Sequence, residues 1–340
     1  MLALCLLSDH SNLLIKRPFC CSIPSALFRA GNGRTLFLSN GLQATLLGAE
    51  NGTVTATDGT ALGPYHKSAD GGDTFATESG GFIYVSNSEN GQEYSPDFDI
   101  TSDRNLIAQN LTGGVYAFEF NANHELIGYK QLLNLTAMNC AGGKTPWNTW
   151  VSCEERRMWG QCWQVDPTGV IPPAPTKVAP IGTASFGNWE AFTWDADSKV
   201  GYVTNDDFPA EGTPATRGAI VRYTPDATAL ACLDAATDAE KWCALNSGSY
   251  EYLKLDPTAM TYEWVTDVTE SNPDIYRGSE GVHYEDGILT FAAAVEKTIF
   301  RLKTADSKYT ATPVPFPQEP DNLRILDGVL YLCTDGDHGK

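Results

Sequence analysis

Short apolar runs recur along the chain, and turns rich in Asp and Gly separate them. Four units share one order, in which a strand-length run, a turn and a second run are followed by a polar cluster. These units cover residues 74–89, 188–207, 279–294 and 321–335. Strand-length runs on either side of Asp/Gly turns are typical of β-hairpins. The pattern therefore predicts four hairpins.

Further strands lie between these hairpins. Residues 115–120 are expected to pair with residues 125–130 across a short turn, and similar runs occur at 163–165, 219–223, 250–255 and 298–302. A hairpin followed by two outer strands makes a four-stranded antiparallel blade, and irregular recurrence of this unit indicates an all-β protein with a β-propeller fold. The alternatives are a large β-sandwich and a β-helix, although the sequence has no strict short-period repeats. No long amphipathic helix is predicted.

The length and charge of the chain limit its class. With 340 residues, the chain is long enough for one large all-β domain. We treat residues 1–30 as a tail or a degenerate targeting segment, because the apolar run at 1–7 is too short for a secretory signal. Residues 31–340 are treated as a single domain. A net charge of -19 argues against nucleic acid or an anionic membrane surface as a partner. No apolar run approaches the length of a transmembrane helix.

The nine cysteines include no Cys-x-x-Cys pair. Cys232 and Cys243 flank a short insertion rich in Ala and Asp. A disulfide in an exported protein and two reduced thiols both fit this spacing.

The segment from 139 to 155 carries two kinds of metal-ligand side chain at its two ends. It reads Asn-Cys-Ala-Gly-Gly-Lys-Thr-Pro-Trp-Asn-Thr-Trp-Val-Ser-Cys-Glu-Glu. We expect the Cys140 thiol in a Gly-Gly turn, a short strand at 149–153, and the carboxylates Glu154 and Glu155 at the end of that strand. Gly142 and Gly143 allow the Cys140 side chain to approach a bulky neighbour. The alternative is a buried cysteine followed by a surface turn.

In a propeller, the residue that heads the innermost strand of a blade points toward the central channel. Glu190, Glu280 and the pair Asp321 and Asn322 occupy this equivalent position, and the Cys140 segment begins another blade. Polar residues also end the second strands, among them Asn87, Glu89, Glu155 and Asp207. Carboxylates that converge on one channel repel each other unless a cation compensates them. The sequence therefore predicts a metal site.

The Cys140 segment resembles the hallmark motif of the PhoX-type alkaline phosphatases. Three further stretches are similar to later motifs of that family: the Glu-Ala at Glu190, the Glu-Gly at Glu280 and the run 320–323. The stretches 70–75 and 84–89 also resemble segments of that family. The resemblance covers roughly residues 40–340. It implies a six-bladed propeller with an iron(III) and calcium cluster at the channel mouth, and phosphomonoester hydrolysis by a secreted or periplasmic protein.

The resemblance also implies roles for particular residues. Cys140, Glu155, Glu190 and Glu280 would be the catalytic metal ligands, with the thiolate on iron. Further ligands are expected among the carboxylates and amides suited to calcium, namely Glu89, Asn87, Asp321 and Asn322. Lys144 and Arg277 are the candidates for gripping the phosphate. The cluster would neutralise the phosphoryl oxygens and position an oxygen nucleophile. A monomer acting on a small phosphomonoester is expected.

Three points remain open at this level. The chain ends just after a hairpin, so the last blade is either incomplete or closed by an N-terminal strand such as residues 42–47. A calcium-dependent propeller lactonase or esterase would share the carboxylates but would have no use for Cys140. A non-catalytic binding propeller is the other alternative. His66 and His283 are interpreted as ordinary turn or strand histidines.

Overall fold

The protein is built almost entirely from β-strands. The computed structural model describes residues 2–7, 11–16, 26–29, 35–38, 43–91, 111–156, 160–168, 176–177, 187–207 and 218–335. Over these ranges the strands are β1 Leu2–Leu7, β2 Ser11–Lys16, β3 Ala26–Arg29, β4 Thr35–Leu38, β5 Gln43–Leu46, β6 Thr53–Thr55, β7 Ala61–Pro64, β8 Ala69–Ala76, β9 Phe82–Ser88, β10 Gly114–Phe120, β11 Leu126–Leu133, β12 Asn139–Lys144, β13 Trp150–Glu154, β14 Cys162–Val165, β15 Thr176–Lys177, β16 Trp189–Asp195, β17 Val200–Asn205, β18 Val221–Pro225, β19 Gly248–Asp256, β20 Thr261–Val265, β21 Ser279–Glu285, β22 Ile288–Ala293, β23 Thr298–Lys303, β24 Lys308–Pro313, β25 Glu319–Leu326 and β26 Val329–Asp335.

Consecutive strands pair antiparallel into blades. Strands β8 to β11 form one four-stranded sheet, and β12 to β15 form a second. Strands β16 to β20 and β21 to β24 form two further units, which a single residue pair between β20 and β24, Thr261 with Lys308, joins into one nine-stranded sheet. Strands β25 and β26 make a last hairpin. All four predicted hairpins and the predicted outer strands are therefore confirmed.

The first strands of these units lie side by side around a common axis. Strand β8 contacts β12, β12 contacts β16, β16 contacts β21, and β21 contacts β25. This circular order of inner strands is the arrangement of a β-propeller. Strand β1 lies beside both β8 and β26, and it belongs to a three-stranded sheet with β2 and β5. Strand β2, before the proposed boundary at residue 30, thus pairs with β5, which lies after it. The number of six blades stays a prediction.

The core lies between neighbouring blades. In β18 the buried residues Val221 and Tyr223 alternate with the partly exposed Arg222 and Thr224, as expected for a strand with one well-covered face. The second strands β9 and β17 are buried along almost their whole length, because blades cover both of their faces. Trp147 meets Trp194 edge to face between the second and third blades.

Helical structure is confined to short segments of the described ranges. Two one-turn to two-turn helices, α1 (Ala227–Cys232) and α2 (Asp238–Lys241), lead into a 3₁₀ turn at Trp242–Leu245, and further 3₁₀ turns lie at Val268–Glu270 and Pro273–Ile275. A disulfide joins Cys232 to Cys243 and closes this insertion. No helix in the described part of the chain has the length and apolar character to span a membrane.

One local prediction is wrong. The sequence predicts Gly142 and Gly143 in a turn, but both lie within strand β12. A Cβ atom on Gly142 would lie 1.9 Å from the backbone oxygen of Val151, and one on Gly143 would lie 1.8 Å from that of Phe192. The two glycines therefore allow β12 to approach its neighbours closely, and they do not reverse the chain.

Candidate metal centre

The same irregularity occurs near the start of each of the five inner strands β8, β12, β16, β21 and β25. In four of these strands the register with the partner shifts after the first paired residue, and in β25 it shifts after the second, as in a β-bulge. In each strand the first unpaired residue of the bulge is a potential metal ligand. These five residues are Asp70, Cys140, Glu190, Glu280 and Asp321. The repeated bulge thus presents one ligand side chain from each blade at the same end of the channel.

Small residues follow most of these ligands and let the inner strands meet. A Cβ atom on Gly71 would lie 2.5 Å from the Cα atom of Ala141 in the next blade. One on Gly281 would lie 2.4 Å from the backbone nitrogen of Leu323. A larger side chain at either position would push the bulges apart, so the Gly and Ala residues after the ligands determine how closely the ligands converge.

The bulge residues combine with residues that end the second strands to form one continuous group. Three sets of side chains have ligand atoms within 4.8 Å of one another: Asp70, Glu89 and Cys140; Cys140, Glu155 and Glu190; and Glu190, Glu280 and Asp321. Cys140 and Glu190 each belong to two sets, so the sets are contiguous. We call these seven residues the mouth cluster.

Cys140 and Glu155 contact each other directly within the mouth cluster. The Cys140 thiol donates a hydrogen bond to Glu155 Oε2 at 3.1 Å. Glu155 also lies in an isolated antiparallel bridge with Asn188 at the start of the next blade. These contacts place one carboxylate between the second and third blades, beside the thiol.

The neighbouring Glu154 has a structural role. Its carboxylate accepts hydrogen bonds from the backbone N–H of Ala137 and Gln161 at 3.0 and 3.1 Å and from Trp163 Nε1 at 3.0 Å, and it lies 3.7 Å from Arg156. All of these partners belong to the second blade, so the Glu154 carboxylate stabilises its own blade. Only Glu155 of the predicted pair of carboxylates belongs to the mouth cluster.

Burial and mutual repulsion govern the protonation of the mouth cluster. Burial raises the pKa of the Cys140 thiol well above its usual range, and the nearby carboxylates of Glu89, Glu190 and Glu155 raise it further. Burial also raises the pKa values of Glu155, Glu190 and Glu280 well above 4.5, with added repulsion from neighbouring acids. A cation among these groups would reverse the effect and favour the thiolate and carboxylate forms.

The donor chemistry of the mouth cluster fits bound metal ions. Six carboxylates are hard oxygen ligands of the kind that calcium takes, and one thiolate is a soft ligand that suits iron. Burying so many acids in one place without a compensating charge is costly. The residues present are therefore suited to hold several cations.

Asn87 supports the thiol segment. Its amide nitrogen donates to the backbone oxygens of Cys140 and Ala141 at 2.7 and 2.6 Å, and its amide oxygen accepts from Trp150 Nε1 at 2.9 Å. The side chain is fully buried. The structure thus shows Asn87 hydrogen-bonded to the backbone at the bulge of β12, and its role as a metal ligand stays a prediction.

The remaining predicted residues lie around or away from the mouth cluster. Asn322 lies against Gly281, and its amide oxygen accepts from the backbone N–H of Leu323 at 3.1 Å. Arg277 lies at the rim, three residues before Glu280, and its Nε atom pairs with Glu296 at 2.7 Å. The Arg277 side chain is 43% exposed.

Lys144 lies farther along the channel. It is four residues from Cys140 on β12, which corresponds to about 13 Å of extended strand. Its Nζ atom donates to the backbone oxygen of Thr74 at 2.9 Å and lies 4.5 Å from the centre of the Phe75 ring. The structure thus places Lys144 as a link between the first two blades and not beside the bulge residues.

Two acids near this site were not among the predicted ligands. Asp70 belongs to the mouth cluster. Asp206 is a neighbour whose charge raises the pKa values of Glu155 and Glu280. The signal for Asp70 is present in the sequence, because Asp70 precedes Gly71 as Cys140 precedes Ala141, Glu190 precedes Ala191 and Glu280 precedes Gly281. An acid or thiol before a small residue at the start of a hairpin is the pattern that would have found it.

Comparisons with known proteins agree with this architecture. A family model described as alkaline phosphatase PhoX matches residues 67–239, just over half of the chain. Among solved structures, the chain is similar to Pseudomonas fluorescens PhoX in complex with vanadate, a transition-state analogue, with 14% identity and a TM-score of 0.50 over 82% of this chain and 75% of that one. It also matches a virginiamycin B lyase from Staphylococcus aureus, with 12% identity and a TM-score of 0.43 over 96% of this chain and 82% of that one. A search of curated proteins found no match.

The fold and the mouth cluster together define a β-propeller with a partly buried group of acids and one thiol at one end of its channel. The family match covers both Cys140 and Glu190. The chain belongs to the alkaline phosphatase PhoX family, which confirms the resemblance seen in the Cys140 segment.

Proposed function

We propose that this protein is a phosphomonoesterase whose mouth cluster holds iron(III) and calcium. The single observation that carries the proposal is the convergence of the Cys140 thiol with carboxylates from different blades within 4.8 Å sets. Membership of the PhoX family supports the phosphatase class. The thiol among the carboxylates favours iron together with calcium over calcium alone.

The roles of the residues follow from their positions. Cys140 and Glu155 would hold a metal between the second and third blades, and Glu190, Glu280 and Asp321 would hold metal on the far side of the group. When bound, the cations supply positive charge that neutralises phosphoryl oxygens and lowers the pKa of a nucleophilic oxygen. Asn87 and Trp150 keep the thiol segment fixed during this chemistry.

Arg277 is the proposed phosphate contact. Its guanidinium has five N–H donors, and the bond to Glu296 uses the Nε donor. Its partial exposure at the rim leaves it accessible to a small substrate that enters from solvent. Because the guanidinium matches the geometry of phosphate oxygens, Arg277 would orient the phosphoryl group toward the mouth cluster.

We further propose that the protein acts as an exported monomer, secreted or periplasmic, on small phosphomonoesters. The disulfide between Cys232 and Cys243 supports export, because such bonds persist in oxidising compartments. The net charge of -19 makes nucleic acid and anionic membranes unsuitable partners.

The test combines two measurements on freshly purified protein. Elemental analysis is expected to find both iron and calcium, and hydrolysis of a generic phosphomonoester is expected to stop when a chelator removes them. Calcium without iron, together with lactone or ester hydrolysis, would favour a calcium-dependent hydrolase of another class. Metal-free protein with no hydrolytic activity would favour a binding propeller.

A further inference from the structure

A cavity of about 420 Å³ opens on the first blade, and none of the mouth-cluster residues lines it. The residues that line it include His66, Lys67, Asn90, Tyr116, Tyr129 and Gln131. A cavity of this volume is within the range that binds small organic ligands.

The cavity lies at the same end of the blade as the mouth cluster. Asn90 directly follows Glu89, and Lys67 precedes Asp70 by three residues, or roughly 10 Å of chain at most. The backbone N–H of Glu89 donates to the oxygen of Ser68 at 2.8 Å, which ties the two lining segments together. An organic group of ordinary size attached to a phosphate at Glu89 and Asp70 would therefore reach the cavity.

Three aromatic rings line the cavity in nearly parallel planes. His66 stacks on Tyr116 with ring centres 4.6 Å apart and planes 10° apart. Tyr116 and Tyr129 are 5.7 Å apart with planes at 14°. Parallel rings of this kind offer a stacking surface to a further flat ring.

Hydrogen bonds hold these rings in place. Tyr129 Oη accepts from the backbone N–H of His66 at 2.9 Å and contacts His66 Nδ1 at 3.0 Å. His66 Nε2 contacts Ser86 Oγ at 2.8 Å. Burial lowers the pKa of His66 to about 3, so its ring is neutral at neutral pH and stacks without a positive charge. The surface is thus rigid before any ligand arrives, which reduces the entropy lost on binding.

We propose that this cavity binds the ring-bearing alcohol of the substrate, so that the preferred phosphomonoesters carry a nucleoside or aryl group. The proposal rests on the proposed phosphatase function. The flat ring stacks on Tyr116 and its neighbours, and Asn90 and Gln131 line the cavity with their side-chain amides. The Asn90 amide nitrogen donates to the backbone oxygen of Thr112 at 3.3 Å and has a second N–H for a polar group of the ligand. Lys67, an exposed residue that also lines the cavity, favours hydroxyl-rich or anionic substituents.

The test compares adenosine 5′-monophosphate with glycerol 3-phosphate, because both release a primary alcohol and differ mainly in the ring. We expect wild-type protein to have the higher kcat/KM for adenosine 5′-monophosphate. Tyr116→Leu should lower kcat/KM for adenosine 5′-monophosphate about tenfold more than for glycerol 3-phosphate, mainly through KM, as expected for the loss of one stacking contact. Tyr250→Leu, at a partly exposed tyrosine on β19 in the third blade, is the matched control and should leave the ratio unchanged.

Two outcomes would overturn the cavity proposal. One is an unchanged substrate ratio in Tyr116→Leu while activity on glycerol 3-phosphate persists. The other is the absence of adenosine binding to the whole protein in an NMR titration, or binding that Tyr116→Leu does not weaken. If neither phosphomonoester is hydrolysed, the proposed function fails, and the adenosine titration still decides whether the cavity binds a ring.

A separate observation concerns two buried thiols in the second blade. Cys153 on β13 lies directly opposite Cys162 on β14, and their Sγ atoms are 3.5 Å apart. Both residues are fully buried. We infer that these residues form a second disulfide when the protein folds in an oxidising compartment. The two thiols lose two protons and two electrons to a disulfide oxidant, which is reduced to two thiols.

Thiol mapping tests this second inference. The protein is refolded with oxidised glutathione, unfolded without reductant, alkylated and digested for mass spectrometry. We expect one peptide linking Cys153 to Cys162 and another linking Cys232 to Cys243, with alkylation of all four residues only after reduction. Alkylation of Cys153 and Cys162 before reduction would overturn the inference, whether or not the Cys232–Cys243 link has formed.

Discussion

The position of the Cys140 side chain depends on a few buried hydrogen bonds. The Asn87 amide nitrogen donates hydrogen bonds to the backbone oxygens of Cys140 and Ala141, and Trp150 Nε1 donates one to the Asn87 amide oxygen. The thiol then lies 3.1 Å from Glu155. A polar residue outside the mouth cluster therefore determines where the thiol sits.

Asn87→Ala should lower the free energy of unfolding by about 3 kcal/mol, because it leaves buried backbone oxygens and an indole N–H without partners. The exposed turn residue Asn123 is the control, and Asn123→Ala should change stability by less than about 0.5 kcal/mol. Urea denaturation measures both. Equal stabilities for the two variants would contradict the supporting role of Asn87.

Cys140→Ser and Glu190→Gln should each reduce bound metal and phosphomonoesterase activity, because each residue belongs to two of the three ligand sets. Activity should fall by at least about 100-fold. Cys333→Ser, on the last strand, is the control and should retain metal and activity. Full activity in both cluster variants, measured beside their metal content, would exclude the proposed mechanism.

At the scale of the element, the repeated bulge in the inner strands is what brings distant acids together. Each bulge directs one ligand side chain toward the mouth cluster. The residues after it pack tightly against the next strand, as at Gly71 beside Ala141 and Gly281 beside Leu323. In β12 the same tight packing involves Gly142, where a Cβ atom would overlap the backbone of β13. Close backbone approach is therefore a structural requirement of the site.

Gly142→Ala should destabilise the protein by at least about 3 kcal/mol, because the new methyl group would lie 1.9 Å from a backbone oxygen that cannot move without breaking the sheet. Gly128→Ala on the outer strand β11 is the control, since its nearest neighbour is the flexible end of Glu119 at 3.2 Å. Thermal unfolding compares them. A Gly142→Ala variant as stable as Gly128→Ala would show that β12 does not need the close approach.

The sequence predicted the hairpins and six of the seven residues of the mouth cluster, and contacts between blades account for what it did not show. The Asp/Gly turns and the motifs at Cys140, Glu190 and Glu280 are local signals, so they are visible without a structure. The role of Asn87 depends on a contact with a segment 53 residues away, and the location of Lys144 depends on the direction of β12. Contacts between blades have no local sequence signal, which is why these contacts of Asn87 and Lys144 could not be predicted.

At the scale of the whole molecule, an acidic chain concentrates buried acids at one end of its channel. Raised pKa values mean that folded metal-free protein retains protons on Glu155, Glu190 and Glu280 that unfolded protein releases above pH 4.5. The folded state then binds more protons than the unfolded state, so its stability falls as pH rises through this range. Bound cations would remove this dependence.

Chelated wild-type protein should therefore lose stability with rising pH more steeply than chelated Glu190→Gln, which lacks one of these acids. The low pKa of His66 contributes the opposite slope below pH 6.5 in both proteins, so the difference between them isolates the acid. Denaturation curves at several pH values, with and without added calcium, provide the measurement. Identical slopes for the two chelated proteins would contradict the raised pKa of Glu190.

Anomalous X-ray scattering from crystals of freshly purified protein tests most directly whether the mouth cluster binds metal. We predict a peak at the iron edge within bonding distance of Cys140 Sγ, and further cation density between Glu190, Glu280 and Asp321. A map with no anomalous peak at the thiol, or with metal bound only elsewhere on the molecule, would contradict it.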